Sequence, residues 1–187
     1  MLIATPTTAT TTTNSDENSW LQTICRRNRL TTSLHFYVHD VRTGPNATLY
    51  TVANASITAN SSTGFGRVNV FDDRVTVAPD INSSEVARAQ GLTTSSDLQV
   101  QAFTMNLNFF LKEGPFNGST VSVVGRNQFA DAQRELTVVG GTGPFRYARG
   151  YAITSTYSHD ATINYSVLEY TINLTFPRRS GCFVESS

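Results

Sequence analysis

Apolar and polar residues alternate with period two over long stretches of this 187-residue chain. Phe103, Met105, Leu107 and Phe109 alternate with Ala102, Thr104, Asn106 and Asn108, giving an extended segment one apolar face and one more polar face. Towards the C-terminus, Ile163, Tyr165 and Val167 are apolar at odd positions, then Leu168, Tyr170, Ile172, Leu174 and Phe176 at even ones. A parity flip between Val167 and Leu168 is what one extra residue in a bulge produces. With a bulge there, Asn164, Ser166, Glu169, Thr171 and Asn173 are expected on one polar face. No stretch sustains a helical period. Clusters of Gly, Pro, Asn and Ser divide the chain from Ser33 onward into around eight strands, which predicts an all-β antiparallel barrel or sandwich.

The ends read differently. Residues 1–14 are threonine-rich and lack the apolar content that offsets ordering entropy, so disorder is expected there. Residues 15–30 are expected to hold one helical turn around Trp20 and Ile24. The folded domain is placed at 31–178, followed by a tail over 179–187. A domain of this size buries its own core.

Charge narrows the partners. Fourteen basic residues balance 14 acidic ones, with a pI of about 6.8. That argues against nucleic acid and against an anionic membrane surface. No apolar run approaches the ~20 residues of a transmembrane helix. Met1-Leu2-Ile3-Ala4 is too short for a secretory h-region. Seven sequons nevertheless begin at Asn46, Asn54, Asn60, Asn82, Asn117, Asn164 and Asn173, and they point to a secreted glycoprotein.

Candidate chemistry is sparse. Asp40 ends the apolar run Leu34-His35-Phe36-Tyr37-Val38-His39. It reads either as a pocket acid whose pKa desolvation raises, or as a cap before Val41-Arg42-Thr43-Gly44-Pro45. Asp72 and Asp73 are adjacent on a strand and so face opposite sides. His35 and His39, four apart on a strand, lie ~13 Å apart, too far to share a metal. No nucleophile elbow, Walker or dinucleotide fingerprint appears, so no cofactor or metal is expected. Eleven Phe and seven Tyr suffice to line a pocket for a flat phenolic.

The run from Arg134 to Ala152 reads as a strand, a glycine turn (Gly140-Gly141-Thr142-Gly143-Pro144) and a second strand. It follows Leu34–Asp40, Gly64-Phe65-Gly66-Arg67-Val68-Asn69-Val70-Phe71-Asp72-Asp73, Ala87-Arg88-Ala89-Gln90-Gly91, Gly114-Pro115-Phe116-Asn117-Gly118-Ser119-Thr120 and Gly125-Arg126-Asn127. In this order and spacing the motifs resemble the plant dirigent family over roughly Leu34 to Phe176. The resemblance implies an eight-stranded antiparallel β-barrel of the dirigent and allene-oxide-cyclase type. It also implies a homotrimer, with some outward apolar faces as subunit contacts, secreted to the apoplast or cell wall. The implied role is stereochemical control of phenoxy-radical coupling of monolignols such as coniferyl alcohol. A separate laccase or peroxidase would supply the radicals, and the protein itself would hold no redox centre. Two rivals stand beside it: a quinone-methide dehydratase like the pterocarpan synthases, and a non-catalytic phenolic-binding scaffold.

The same resemblance implies Asp40 as acid and Arg134 as anchor, with Asn127, Thr156, Asp73 and Tyr165 as substrate contacts. Some relatives tie their first strand to the C-terminal end, which implies a Cys25–Cys182 disulfide here, with two free thiols as the other reading. In the chain-entropy model such a bridge contributes on the order of 4–5 kcal/mol. The chain departs from the lignan-forming members at two places. Asn127 stands where they carry a second pocket aspartate, and Leu92-Thr93-Thr94-Ser95 stands where they place tyrosines.

Overall fold

The period-two segments all become strands. The structure, a computed structural model, describes residues 21–26 and 29–178. Its strands are β1 (Leu21–Arg26), β2 (Arg29–Val41), β3 (Leu49–Ala53), β4 (Val68–Thr76), β5 (Glu85–Ser95), β6 (Ala102–Leu111), β7 (Thr120–Gln128), β8 (Arg134–Gly141), β9 (Arg149–Asp160) and β10 (Tyr165–Pro177). Every pairing is antiparallel, in the order β1-β2-β10-β9-β8-β7-β6-β5-β4-β3, and a β2–β4 pairing closes the sheet on itself. Eight strands, β2 and β4 to β10, therefore form an antiparallel barrel. β1 and β3 lie outside the ring and cover the edges that the seam leaves open.

The seam is short, with three rungs: Tyr37 to Thr76, Val38 to Val75 and His39 to Arg74. Beyond it, the first half of β2 pairs with β1, Leu34 opposite Leu21 and Arg29 opposite Arg26. The helical turn expected around Ile24 is thus a strand instead. Unpaired N–H and C=O groups on β2 need partners, and a strand supplies them where one helical turn could not. Trp20, the segment 1–14, the tail 179–187 and Cys182 lie outside the described residues. Cys25 sits in β1 opposite Leu30.

The irregularity expected at Val167–Leu168 is present in the β9–β10 register, but the extra residue is Tyr157 of β9. β10 pairs with β2 without a shift. Its even positions consequently all face inward: Ser166, Leu168 and Tyr170 line the interior cavity, and Ile172, Leu174 and Phe176 are buried below them. Asn164 and Ser166 are therefore not on the outer polar face with Asn173. A bulge re-aims the strand that contains it, and here that strand is the partner.

One end of the barrel is filled. Gly114-Pro115-Phe116 and Gly143-Pro144-Phe145 each make a 3-10 turn, and both glycines have positive φ (+70° and +60°). The two turns deliver Phe116 and Phe145 onto Phe176, with ring centroids 4.8 to 5.8 Å apart across the three pairs. Such edge-on and tilted contacts suit aromatic quadrupoles. A second aromatic layer, Phe36, Phe109 and Tyr170, lies above this plug. No described helix is long and apolar enough to cross a membrane.

His39 braces the seam from outside. It is buried, with Nδ1 2.5 Å from the Tyr165 hydroxyl and Nε2 2.6 Å from Thr76 Oγ1. Thr76 Oγ1 donates to the Ala78 carbonyl at 2.7 Å, so it accepts from Nε2–H, and Nδ1 accepts from Tyr165. The relay requires a neutral ring. Burial, assisted by the Arg74 charge, lowers the His39 pKa to about 4.

Gly91 allows the sheet to curl. It lies between Phe71 of β4 and Leu107 of β6, and a Cβ there would collide with the Asn106 carbonyl. Gly91→Ala is expected to destabilise the barrel by about 1–3 kcal/mol, the usual cost of overpacking. Chemical denaturation with an unchanged m-value would confirm it.

Candidate functional site: an acid pair in the barrel mouth

A cavity of about 700 Å³ opens at the end opposite the phenylalanine plug. Its lower walls are apolar, with Phe71, Leu107, Phe109 and Leu168 among them. Polar side chains are gathered towards the mouth, where β2 ends, β8 begins, and hairpins join β7 to β8 and β9 to β10.

The seam register creates the central feature. His39–Arg74 is the last rung of the seam, and Asp40 and Asp73 are the next residues beyond it on β2 and β4. Both are inward, lining one cavity, with residue exposures of 5% and 4%. On its other side Asp40 faces Ser166 of β10, and Ser166 Oγ lies 2.9 Å from His159 Nδ1. Asp72 points the opposite way and accepts from Arg88 Nε at 2.8 Å.

The two carboxyls sit in unequal environments. Asp40 Oδ2 accepts from Arg42 Nε at 2.8 Å and Nη2 at 2.7 Å. Among the described residues no cation pairs with Asp73; its Oδ1 accepts from Thr48 Oγ1 at 2.5 Å. Burial, and next the Asp40 charge, push the Asp73 pKa up to about 8, while the Thr48 bond acts the other way. Asp73 is thus mostly the protonated acid at neutral pH. A carboxyl bonded to a guanidinium and a carboxylic acid bonded to a hydroxyl share one wall.

Across the mouth, Arg134 is buried and donates from Nη1 to the Asp131 carbonyl and to Thr156 Oγ1, each at 3.1 Å. Desolvation lowers its pKa, opposed by Tyr170 and Asp131. Tyr170, inward on β10, has its phenol pushed up to about 12 by burial. Asn127 Nδ2 lies 2.9 Å from Met105 Sδ. Asp40 Oδ1, Asn127 Oδ1 and Arg134 Nε are buried without a protein hydrogen-bond partner. Buried polar atoms are rarely left in that state, so three at one cavity mark a place built for a polar ligand. Among the described residues no group of three or more metal-binding side chains is gathered.

Of the residues expected at the site, Asp40, Asp73, Asn127, Arg134 and Thr156 line this cavity, and Tyr165 does not. Tyr165 is odd-numbered on a strand whose even positions point inward, so its ring stacks on His39 outside the barrel, centroids 6.0 Å apart. Sequence reasoning missed Arg42, His159, Ser166 and Tyr170. Arg42 had a signal, being two residues from Asp40 on one strand face, and Tyr170 belongs to the even apolar series. His159 and Ser166 had none, because their aim depends on which strand of the β9–β10 pair holds the extra residue. The sequon residues Asn46, Asn54, Asn60, Asn82 and Asn117 are exposed, Asn173 is half-buried on the outer face, and Asn164 lines the cavity.

The family model described as Dirigent-like protein matches residues 31–175. This chain belongs to the dirigent family. Dirigent protein 11 of Arabidopsis thaliana is 48% identical over 139 residues, covering 73% of this chain and 72% of that protein. Pterocarpan synthase 1 of Glycyrrhiza echinata is 43% identical over 142 residues, covering 75% and 76%. The solved structure of a pterocarpan synthase dirigent protein superposes with a TM-score of 0.75 at 39% identity, covering 84% of this chain and 91% of that one. The dirigent barrel is therefore common ground, while the relatives' names differ in what they say of activity.

The two perturbed groups act on stability with opposite signs. Folded His39 titrates near 4, below its ordinary 6.5, so stability is lost as pH falls from 6.5 to 4. Folded Asp73 titrates near 8, above its ordinary 3.8, so stability is lost as pH rises from 3.8 to 8. The contributions oppose each other between pH 4 and 6.5, and only the Asp73 loss continues above. Asp73→Asn is expected to remove a fall approaching 1.4 kcal/mol per pH unit between pH 6.5 and 8. Unfolding curves of both proteins across pH 4 to 8 test this, and parallel curves would reject a buried acidic Asp73.

Proposed function

We propose that this dirigent protein binds a phenolic in the cavity and directs its passage through a quinone methide, with Asp73 as proton donor. The carrying observation is the unequal acid pair, one carboxyl held protonated by burial and its neighbour bonded to a guanidinium. A phenol bearing a benzylic hydroxyl needs both. Asp73 protonates the departing hydroxyl, which leaves as water. Asp40 takes the phenolic proton, and the ring becomes a quinone methide. Arg134 stabilises charge on the ring oxygen. A second phenolic hydroxyl then adds to the methide carbon and returns a proton to Asp73, while Asp40 gives its proton back to the ring oxygen. The net change is loss of water, with no oxidant. The similarity to pterocarpan synthases supports this reading.

A second reading uses the same pocket to steer coupling of monolignol radicals such as those of coniferyl alcohol, made by a separate laccase or peroxidase. The cavity favours it in one respect: about 700 Å³ lies in the upper half of the range for small-molecule sites, leaving room for two rings. The discriminating experiment has two arms, each read by chiral chromatography. A 2′-hydroxyisoflavan-4-ol is incubated without any oxidase, and coniferyl alcohol is incubated with laccase. The first reading expects dehydration in the oxidase-free arm, slowed on the order of 10²-fold by Asp73→Asn. Enantiomeric excess only in the laccase arm would transfer the assignment to coupling. Activity in neither arm would leave a carrier or scaffold.

We also infer a secreted homotrimer. An outward row, Tyr50 opposite Val70 and Val70 opposite Leu92, crosses β3, β4 and β5 with exposures of 58, 41 and 39%. An exposed apolar row of this kind suits a subunit contact. Sedimentation should give a trimer, and Val70→Glu a monomer with the same circular dichroism. A monomeric wild type would reject the assembly.

A further inference from the structure

A side pocket of about 300 Å³ adjoins the mouth of the main cavity. The two share four lining residues, Arg42, Arg67, Phe103 and Phe129, so one ligand can reach both. The side pocket is lined by two arginines, by hydroxyls and by no carboxylate.

The two cations differ. Arg42 is committed through Nε and Nη2 to Asp40. Arg67 is exposed and makes no side-chain hydrogen bond or ion pair with any described residue. The guanidinium lies against Gly64, close enough that a Cβ there would sit 3.7 Å from Arg67 Cζ. Gly64 has φ +67°, a backbone that other side chains rarely adopt.

The loop that carries Arg67 is internally bonded. Ser61 Oγ accepts from the Thr63 and Phe65 amides at 3.3 and 3.1 Å, and Thr63 Oγ1 donates to the Asp97 carbonyl at 2.7 Å. The Arg67 amide donates to the Gly64 carbonyl at 3.2 Å, and the Ser95 amide to the Arg67 carbonyl at 2.9 Å. Phe103 and Phe129, stacked with centroids 5.9 Å apart, give the shared wall a flat apolar surface.

We propose that this side pocket is a subsite for a carboxylate on the substrate's tail, with Arg67 as the residue that selects it. The inference rests on the phenolic reading of the main cavity. An aromatic ring occupies the main cavity beside Phe103, and a side chain ending in a carboxylate reaches over the stacked rings to Arg67. A guanidinium pairs with a carboxylate through two parallel N–H···O bonds, and no side-pocket acid competes for it. The site thus takes carboxylated phenolics, such as hydroxycinnamates or carboxyacyl conjugates, in preference to the matching alcohols.

Ferulate and coniferyl alcohol share a ring and differ in a terminal carboxylate against an alcohol. Calorimetric titration of each into the full-length protein at pH 7 and low salt should show ferulate binding about tenfold tighter, as a charge-assisted bond at a partly exposed site supplies. Arg67→Gln should abolish that preference, weakening ferulate about tenfold and the alcohol far less. Raising the salt should reduce the preference in the wild type. Equal affinities in the wild type, or a preference that survives Arg67→Gln, overturns the subsite while leaving the phenolic pocket intact. Failure of both ligands to bind overturns the pocket reading and the subsite together.

Discussion

Three rungs between β2 and β4 carry the architecture. Without them the sheet would be an open ribbon with two long edges; with them it is a barrel. The closing register also determines the chemistry. Asp40 and Asp73 are 33 positions apart, and the seam brings both into one cavity just beyond its last rung, His39–Arg74. A slip of one residue would turn one carboxyl of the pair outward. Thr48 lies beside this place. It exchanges backbone bonds with Val41 and Asp72, while its hydroxyl receives the Val41 amide and donates to Asp73. One threonine thus continues the seam where strand pairing stops and tethers the acid that the seam positions.

An apolar barrel makes its few polar groups strong. The phenylalanine plug seals one end, and the two aromatic layers keep water from the floor. Desolvation is the first cause of the shifts at Asp73, Arg134 and Tyr170 alike. Each shift disfavours the charged form. Asp40 differs in its partner, the guanidinium of Arg42 two residues along the chain. Two carboxyls on neighbouring strands therefore differ because a cation accompanies one and a hydroxyl the other. Asymmetry of this kind separates acid from base.

Much of this was legible in the chain. Alternation along β6 and β10 predicted strands, because period two is imposed locally by the backbone, while the barrel was implied by the resemblance that the ordered motifs carry. Asp40, Asp73, Asn127, Arg134 and Thr156 came from the same resemblance, and all five line one cavity. What escaped depended on neighbours. Tyr165 was expected inside, but the extra residue at Tyr157 lies across the ladder, and sequence periodicity on β10 cannot say which strand of a pair is bulged. His159 and Ser166 entered the cavity through that same displacement. The strand at Leu21–Arg26 escaped because its stability lies in an unpaired edge of β2, not in its own alternation.

Closure and acidity are in the end one property. Asp73 is an acid because it is buried beside Asp40, and it is so placed because β2 and β4 are zipped. His39, on the outer face of the same rung, must stay neutral to accept from Tyr165 and donate to Thr76. Burial at the seam thus disfavours charge on one group at each face: a proton withheld from the histidine outside, a proton retained by the aspartate inside. Protonating one or ionising the other draws on the same few backbone bonds. The few backbone bonds that close the barrel thus also set the two environments, a buried hydroxyl-bonded acid inside and a buried neutral imidazole outside.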